Sequence, residues 1–354
     1  MTTSPMRLGI LGCGDFLRWN EAALRASTQT VVAAVYDPDA TRSQTWATAL
    51  GARVGPSAED VITAADVDIV CLFVPPWLRM QPLIQAAQAG KAIITTKPLA
   101  PTPEECQSMI SAVAAAQVAC GVIYNRTRSP AIETIRDVLA SGEVGNLALF
   151  KQDWIHPYPR WNSWATDPQR NGGPFMDAMI HNLNAARYLM GRPATALTFF
   201  SDRHNRSQVL PCADTEAMKL DFTDGGSAHL FITWAGDLAT FTTAGNDREH
   251  IDIWYMITDA GWRLSVAGTQ LLGSRRGETR RWPLQPLATT IYDALAHAMR
   301  GGPWPRDLPT LAEAALDISL IRAGSGCPNQ HLTVSSQGIG IGTGTAVHAA
   351  RTGT

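Results

Sequence analysis

The fold is decided by a glycine-rich stretch, Gly9-Ile10-Leu11-Gly12-Cys13-Gly14-Asp15-Phe16-Leu17, which ends a short apolar run and begins a segment of helical length. Glycines between a strand and a helix let the backbone turn tightly and approach a pyrophosphate at the helix N-terminus. Leu17 replaces the third glycine of the usual pattern, which should move the helix slightly away from the strand. We predict that Gly12, Gly14, Asp15, Phe16 and Leu17 contact a dinucleotide; the alternative is a plain glycine turn.

An acidic residue stands where the ribose of a dinucleotide would lie. The second apolar run ends in Asp37, whose carboxylate can accept hydrogen bonds from both ribose hydroxyls. Because a carboxylate repels a 2'-phosphate, Asp37 favours NAD as the cofactor over NADP. Arg42 lies close enough in sequence to keep NADP open, and Asp37 could instead only begin the turn Asp37-Pro38-Asp39.

Apolar runs alternate with segments of helical length through the first 123 residues. The predicted strands are Arg7–Leu11, Val31–Tyr36, Val67–Val74, Ala92–Thr95 and Gly121–Tyr124. Strands that are apolar on both faces and separated by helices are typical of a parallel, doubly wound sheet, because the crossovers place helices on both sides. We therefore predict an α/β protein whose first domain, residues 1–123, is of the dinucleotide-binding Rossmann type.

A different pattern begins at residue 124. Helices are predicted over Ala131–Ala140, Pro174–Met190, Ala288–Met299 and Leu311–Arg322. Between them, β-forming residues cluster in Ala194–Ser201, Glu216–Phe222, Ser227–Trp234, His250–Ile257, Trp262–Val266 and Gln270–Gly273. This predicts an α+β domain over 124–323 with a largely antiparallel, open-faced sheet. Residues 324–354, rich in Gly, Ser and Thr, are predicted to form a flexible tail.

The composition is that of a globular protein with a small-molecule partner. The 354 residues exceed the usual size of one hydrophobic core. With 45% hydrophobic and 17% charged residues and a net charge of -2, the chain has no bulk attraction to nucleic acid or to an anionic membrane. No early apolar run is long enough for a signal or a span, so we expect a cytoplasmic protein. Six cysteines without a Cys-x-x-Cys pair predict neither a zinc site nor a disulfide framework.

Two segments end neighbouring strands at the carboxyl edge of the predicted parallel sheet. They are Val74-Pro75-Pro76 and Thr95-Thr96-Lys97-Pro98-Leu99-Ala100. Because doubly wound sheets bind ligands at this edge, Val74, Pro75, Lys97 and Pro98 are predicted to line the cofactor cleft. The alternatives are prolines that only terminate a strand and a lysine that is simply solvated.

A carboxylate and an imidazole lie four residues apart on a predicted helix. Asp177 and His181 follow Gly172-Gly173-Pro174 in an otherwise apolar segment. A spacing of four places both side chains on one helical face, which predicts that they face a cleft together. The alternative is an Asp favoured by the helix dipole and a core histidine bonded to a carbonyl.

Taken together, these segments make the chain similar to the Gfo/Idh/MocA family, the glucose-fructose oxidoreductase and inositol dehydrogenase type, over residues 6 to 323. The matching features are the glycine loop with Asp37, the Pro75-Pro76 turn, Lys97-Pro98-Leu99, Tyr124-Asn125-Arg126, Gly142 to Gly145 before a strand, and Gly172-Gly173 before Asp177 and His181. The resemblance implies that Lys97, Asp177 and His181 meet at the nicotinamide ring and that Asn125 contacts the cofactor. It also implies homodimers or homotetramers packed through the open sheet face.

These implied roles suit hydride transfer at the hydroxyl or carbonyl carbon of a sugar, a sugar derivative or a cyclitol. NAD carries the hydride, and His181 can take the hydroxyl proton because its ordinary pKa lies near working pH. Lys97 would stabilise the developing alkoxide, and Asp177 would orient substrate hydroxyls. The sequence departs from the family pattern in two further places: Thr96 stands where the lysine motif usually has Glu, and Arg79 stands where many members have His.

The segment Gln152 to Trp164 is unusually aromatic for a predicted loop. Trp and Tyr faces stack on sugar rings, while Arg and His bind hydroxyl groups. The predicted substrate contacts are Tyr124, Arg126, Trp154, His156, Trp161 and Trp164. The alternative is that these aromatics fill the core or a subunit interface.

Three functions are compatible with these features. The first is the NAD(H)-dependent dehydrogenase or reductase, which needs Lys97, Asp177 and His181. The second is a glycoside hydrolase of the same fold that uses tightly held NAD without net redox change, as the aromatic segment would allow. The third is a non-catalytic dinucleotide-binding regulator, which the departures at Thr96 and Leu17 leave open. No metal is predicted, since Asp177 and His181 alone are too few ligands.

Overall fold

Side-chain caps and terminal prolines define where many helices begin. The computed structural model describes residues 4–155, 163–204, 210–235, 251–336 and 338–341. In α5, for example, Thr102 accepts a hydrogen bond from the backbone of Glu105, and Pro103 occupies the first turn. Side-chain oxygens cap further helices in the same way at Asp39, Ser57, Ser129, Thr290 and Thr310. Local sequence therefore sets these boundaries.

The first domain is a parallel sheet with helices between its strands. Its strands are β1 (Met6–Leu11), β2 (Thr30–Tyr36), β3 (Arg53–Val54), β4 (Ile69–Leu72), β5 (Ala92–Thr96) and β6 (Cys120–Ile123). Its helices are α1 (Asp15–Ala26), α2 (Ala40–Leu50), α3 (Ala58–Thr63), α4 (Met80–Gln88) and α5 (Pro103–Ala116). The strand order is β3-β2-β1-β4-β5-β6, and every pairing is parallel. The predicted doubly wound sheet is confirmed, and its reversal between β1 and β4 creates the ligand crevice expected of this topology.

The second domain packs two helices, α6 (Pro130–Ala140) and α7 (Ile180–Met190), on one face of a large sheet. Its strands are β7 (Leu147–Ile155), β8 (Ala194–Asp202), β9 (Thr215–Phe222), β10 (Ser227–Thr233), β11 (Ile251–Thr258), β12 (Arg263–Ala267), β13 (Gln270–Arg275) and β14 (Glu278–Pro283), with β15 (His331–Ser335) and β16 (Gly338–Ile341) at one edge. The pairings are antiparallel except that of β7 with β10, as predicted. The opposite face exposes Phe200, Ile253 and Ile257.

One correction concerns the predicted aromatic loop. Residues Gln152 to Ile155 are not loop but the end of β7, which pairs with both β10 and β11. The polar run Lys151-Gln152-Asp153 hides this strand from a hydrophobicity pattern. Its polar side chains find partners instead: Lys151 Nζ lies 2.6 Å from Asp153 Oδ1.

A second correction concerns the predicted tail. The last helix, α9, runs from Leu311 to Gly326, and β15 (331–335) and β16 (338–341) form an antiparallel pair. Gly324 is not a linker glycine, because a Cβ there would lie 2.7 Å from Cβ of Phe199 on β8. A glycine is thus required for close helix-to-strand packing, and β15 then extends the sheet beyond β8. Residues 342–354 lie outside the described ranges.

Helix α8 (Ile291–Met299), though late in the chain, belongs to the first domain. Ile291, Tyr292 and Leu295 pack in the same core as Leu8 and Ile10. Asp293 strengthens this contact, since it accepts hydrogen bonds from the backbone of Thr28 and Gln29 at 3.1 and 2.8 Å. The segment predicted to belong wholly to the substrate domain therefore returns to the dinucleotide-binding sheet.

Two features of the whole chain can be checked against the sequence. Within the described ranges, no helix is long and apolar enough to cross a membrane. All six cysteines are free thiols, and all except the half-buried Cys327 are buried. Most of them therefore pack as small core residues.

Candidate active site

The glycine loop contains one position, Gly12, that only glycine can occupy. Gly12 has φ +97°, and a Cβ there would lie 2.7 Å from the backbone carbon and oxygen of Phe73. Gly14 is the N-cap of α1 without a side-chain cap, and a Cβ on it would meet open space. The first N–H groups of α1 therefore point into an uncrowded region, which fits the pyrophosphate of a dinucleotide.

Two apolar residues of the loop, Phe16 and Leu17, pack in the hydrophobic core. Leu17 is fully buried between α1 and the sheet, so only its backbone remains to interact with a phosphate. Phe16 packs on Phe73 with ring centroids 4.9 Å apart. Asp15 is exposed and forms an ion pair with Arg18 at 2.9 Å. The missing third glycine is thus replaced by a residue that the hydrophobic core accommodates.

Asp37 connects the end of β2 to the glycine loop. Its Oδ2 accepts a hydrogen bond from the backbone N–H of Cys13 at 2.8 Å, and its Oδ1 accepts one from Asp39 at 2.9 Å. The side chain stays partly accessible, as ribose binding requires. Arg42 is exposed and lies 3.4 Å from Asp39.

Lys97 extends from the carboxyl end of β5 to the second domain. It precedes Pro98 through a cis peptide bond, and its Nζ donates a hydrogen bond to the backbone oxygen of Asp177 at 2.5 Å. Burial lowers the pKa of Lys97, Asp177 opposes this, and the charge of Arg79 lowers the pKa further. The lysine is therefore a more acidic ammonium than a solvated one, and it still retains some exposed surface.

Asp177 lies in a single turn of π-helix, Phe175–Met179, which leads directly into α7. The sequence predicted one continuous helix from Pro174 to Met190; the wider turn adds a residue, a feature often found at functional sites. Burial raises the pKa of Asp177, and Lys97 opposes that shift. Both predicted residues of this helix are thus brought to Lys97, although not with ordinary α-helical geometry.

His181 is held as a neutral imidazole. Burial lowers its pKa well below the ordinary value, and the charges of Lys97 and Arg126 lower it further. Its ring contacts the edge of Tyr124, with centroids 6.0 Å apart. Its Nδ1 is buried and has no hydrogen-bond partner within the described part of the chain. An unsatisfied buried nitrogen is costly, so a hydrogen-bond partner is expected at this atom, and a neutral imidazole can accept a proton.

Arg126 is fixed by a cluster at the ends of β7 and β11. Its Nη2 lies 2.7 Å from Asp252 Oδ2, and its guanidinium stands over the rings of Trp154 and Trp254 at 5.8 and 5.9 Å. Gln152 Nε2 donates a hydrogen bond to the other Asp252 oxygen at 2.5 Å. Trp154 thus supports Arg126 with its ring, and Asp252, Gln152 and Trp254 join the site without any sequence signal.

The other residues predicted to contact cofactor or substrate differ in how deeply they are buried. Tyr124 is fully buried, so it supports His181 from behind. Asn125 is exposed just beyond β6. The Trp164 ring packs edge-on against the Trp77 ring, with centroids 5.2 Å apart, and the Arg170 guanidinium lies 4.9 Å from the Trp77 centroid. These contacts join the two domains at Trp77. Val74 and Pro75 are half-buried at the edge of the sheet, as predicted. His156 and Trp161 lie outside the described residues.

Buried polar groups hold the helical segment that carries Asp177 and His181. Asn184 donates a hydrogen bond to Asp317 at 2.8 Å, and Arg187 forms an ion pair with the same carboxylate. At the other end, Glu216 on β9 accepts a hydrogen bond from the backbone N–H of Phe175 at 2.8 Å. Sequence analysis missed Glu216 and Asp317, because their partners are distant in sequence and their segments look like ordinary strand and helix.

Glu216 is expected to make stability depend on pH. Burial raises the pKa of Glu216 from 4.5 to about 8, and the Phe175 N–H and Arg322 oppose that shift. Between about pH 4.5 and 8, the Glu216 carboxyl is therefore protonated in the folded protein and ionised in the unfolded chain. The free energy of unfolding consequently falls as the pH rises through this range. Near pH 5, Glu216→Gln should leave the melting temperature unchanged. At pH 8.5 the variant should melt at a higher temperature than the wild type, because its free energy of unfolding is larger by about 2–4 kcal/mol. Glu143→Gln, at an exposed glutamate, is the control; parallel pH profiles of wild type and Glu216→Gln would contradict the prediction.

Two family models match the chain. One, described as an oxidoreductase family with an NAD-binding Rossmann fold, matches residues 6–124. The other, described as the GFO/IDH/MocA C-terminal domain, matches residues 132–267. Together they span more than two thirds of the sequence.

Curated proteins and solved structures agree with these matches. The chain is 28% identical over 196 residues to a 1,5-anhydro-D-fructose reductase of Ensifer adhaerens, covering 54% of this chain and 59% of that protein. It is 33% identical over 136 residues to levoglucosan dehydrogenase of Pseudarthrobacter phenanthrenivorans, covering 37% and 35%. The chain thus spans about half the length, or less, of these relatives. Aldose-aldose oxidoreductase from Caulobacter crescentus, solved with glycerol, has the same fold: the TM-score is 0.75 at 20% identity, covering 93% of this chain and 99% of that chain.

Proposed function

Because the chain belongs to the Gfo/Idh/MocA family of NAD-binding oxidoreductases, we propose that it transfers a hydride between nicotinamide and a hydroxyl-bearing carbon of a sugar or cyclitol. The observation that carries this proposal is the meeting of Lys97 with the Asp177–His181 segment, at the carboxyl edge of the sheet that bears the glycine cradle. NAD, when bound, supplies the hydride acceptor.

The protein's own groups move the proton and stabilise charge. Removal of a hydride from a carbinol carbon requires that the hydroxyl proton also leave, and the neutral His181 can accept it. The ammonium of Lys97 donates a hydrogen bond to the developing alkoxide, more strongly because its pKa is lowered by burial. Asp177, beside Lys97, orients a neighbouring substrate hydroxyl. In the reverse direction the same groups return the proton to a carbonyl.

The charges of the site favour an uncharged substrate. Among the described side chains of the cleft, the cation of Lys97 is balanced by Asp177 and that of Arg126 by Asp252. The cation of Arg79 is buried beneath the lysine turn against backbone carbonyl oxygens, so it does not meet the substrate. An acidic sugar would leave one carboxylate without a matching cation, which is costly in a partly desolvated site. Paired donors and acceptors beside aromatic rings instead suit vicinal hydroxyls, so we propose a neutral aldose, anhydrosugar or cyclitol.

The cofactor preference is assigned to Asp37. Asp37→Ser should remove the carboxylate that repels a 2'-phosphate while Arg42 remains available to bind one. We expect the preference for NAD over NADP, measured as the ratio of kcat/KM values, to fall by about tenfold or more, which corresponds to about 1.4 kcal/mol. Glu143→Ser, at an exposed glutamate of the second domain, is the control. An unchanged ratio in Asp37→Ser would show that another residue selects the cofactor.

The proposal is tested by assaying bound nucleotide and turnover together. The purified protein is incubated with NAD or NADP and a panel of aldoses, anhydrosugars, inositols and glycosides, and absorbance of the reduced nicotinamide is followed. NADH formed with a free sugar or inositol supports the proposal. Glycoside cleavage without net NADH, or nucleotide binding without turnover on any member of the panel, would contradict it.

A further inference from the structure

Arg79 is a buried cation beneath the turn that carries Lys97. It follows the Pro75-Pro76 turn and begins α4, and only 1% of its surface is exposed. Its Nη1 donates hydrogen bonds to the backbone oxygens of Thr96 at 2.6 Å, Leu99 at 3.1 Å and Pro98. Its Nη2 donates one to the backbone oxygen of Val74 at 2.7 Å. One side chain thus joins the ends of two neighbouring strands, β4 and β5.

This guanidinium is neutralised by carbonyl dipoles alone. Among the described residues no carboxylate lies within ion-pair distance of Arg79, and Cys106 and Tyr124 only oppose the effect of burial on its pKa. Burial lowers the pKa of Arg79 to about 9, and its Nε has no partner in the same part of the chain. A buried unpaired cation is expensive, whereas an apolar residue of similar volume would fill the space at lower cost. Packing therefore does not explain an arginine here.

We propose that Arg79 is a positioning residue of the reaction: its guanidinium fixes the backbone from Thr96 to Leu99, and its charge acts on the Lys97 ammonium. The inference rests on the proposed function for its effect on turnover, but not for its effect on Lys97 itself. Two of the departures from the family pattern, Thr96 and Arg79, are in direct contact: the Arg79 guanidinium donates to the Thr96 backbone oxygen. They form one unit in which an arginine, and no acidic side chain, holds the lysine turn.

The geometry requires a planar fork. Three carbonyl oxygens converge on Nη1 while a fourth, from the other turn, faces Nη2. A lysine presents one point charge and can approach one of these turns well, but it cannot hold both in register. The direction of Lys97 towards the Asp177 carbonyl therefore depends on this arginine.

The electrostatic part concerns the groups that face Lys97. Asp177, on the π-helical turn, raises the pKa of Lys97, while burial and the charge of Arg79 lower it. His181, on the next turn, is held neutral and adds no charge. Removing the charge of Arg79 should consequently raise the pKa of Lys97 and weaken its hydrogen bond to an alkoxide.

The experiment uses the fact that the chain has only four lysines, Lys91, Lys97, Lys151 and Lys219. Isotope-labelled lysine gives few NMR signals, and the Lys97 signal is assigned with Lys97→Arg. In Arg79→Met we expect the pKa of Lys97 to rise by about one unit, and kcat to fall about 10- to 100-fold with KM changed less than about threefold. Arg79→Lys keeps the charge and loses the fork, so the pKa of Lys97 should stay near wild type while kcat still falls.

The controls separate the inference from folding and from the proposed function. Arg192 is another half-buried arginine, and it donates a hydrogen bond to the Leu147 carbonyl. Arg192→Lys should therefore change neither the pKa of Lys97 nor kcat. Arg79→Gln, whose side chain is uncharged at every pH, replaces Arg79→Met if the latter does not fold. If the wild type turns over no substrate, the proposed function fails, while the pKa of Lys97 still tests the inference. An unchanged pKa of Lys97 in folded Arg79→Met or Arg79→Gln overturns the electrostatic role, and an unchanged kcat overturns the positioning role.

Discussion

The variant His181→Ala is expected to lose about two to four orders of magnitude in kcat while NAD binds as it does to the wild type. Its imidazole is neutral because burial and the nearby cations lower the pKa of His181, so it is ready to accept a proton at neutral pH. Within the described residues, the other titratable groups close to His181 are Lys97, Asp177, Tyr124 and Arg126. Lys97 is already engaged with the Asp177 carbonyl, and burial raises the pKa of Tyr124 well above its ordinary value. Alanine leaves the hydride path intact but leaves the hydroxyl proton without an acceptor. The measurement is steady-state kinetics together with NAD titration by protein fluorescence.

The matched control for this variant is His331→Ala. His331 is exposed on β15 at the sheet edge, away from the cleft, so its loss should leave kcat and NAD affinity unchanged. Retention of full activity in His181→Ala would assign the proton acceptor to another residue. Loss of NAD binding and activity together would instead mean that the helix from Ile180 had been displaced.

Gly12→Ala is expected to remove NAD binding and to lower stability by about 2–4 kcal/mol. Gly12 has φ +97°, which L-residues rarely adopt, and its new Cβ would lie 2.7 Å from backbone atoms of Phe73. That neighbour cannot retreat easily, because the Phe73 N–H donates to the Leu11 carbonyl at 2.8 Å. Thermal unfolding and NAD titration measure the two effects.

Gly14→Ala tests the effect of the loop on NAD binding separately from its effect on folding stability. Gly14 has an ordinary negative φ, and a Cβ there meets no atom within 4 Å. We therefore expect a melting temperature close to the wild type but weaker NAD binding, because the methyl group enters the space in front of α1. Equal destabilisation by the two alanines, or tight NAD binding in Gly12→Ala, would show that the loop is not the cradle described above.

The features that the sequence predicted best are those with local causes. The doubly wound sheet follows from continuous apolar strands, and the glycine loop follows from a turn that only glycine can make. The two corrections have the opposite origin. In β7 the polar run Lys151-Gln152-Asp153 is stabilised by neighbouring strands, and Gly324 mimics a linker although it packs against Phe199.

The sequence by itself determined the α/β class and the glycine turn at Gly12 and Gly14, and it proposed that turn as the cofactor cradle and Lys97, Asp177 and His181 as candidate catalytic groups. The positions of these residues relative to strand ends and helix starts are enough to identify them, because a doubly wound topology brings the carboxyl ends of its strands to one edge of the sheet. Only the tertiary structure decided what surrounds them: Asp252 pairs with Arg126 across 126 residues of chain, and Arg79 contacts the lysine turn. Such partners are chosen by packing and by the cost of unpaired buried charge, and neither quantity is written in any local stretch of sequence.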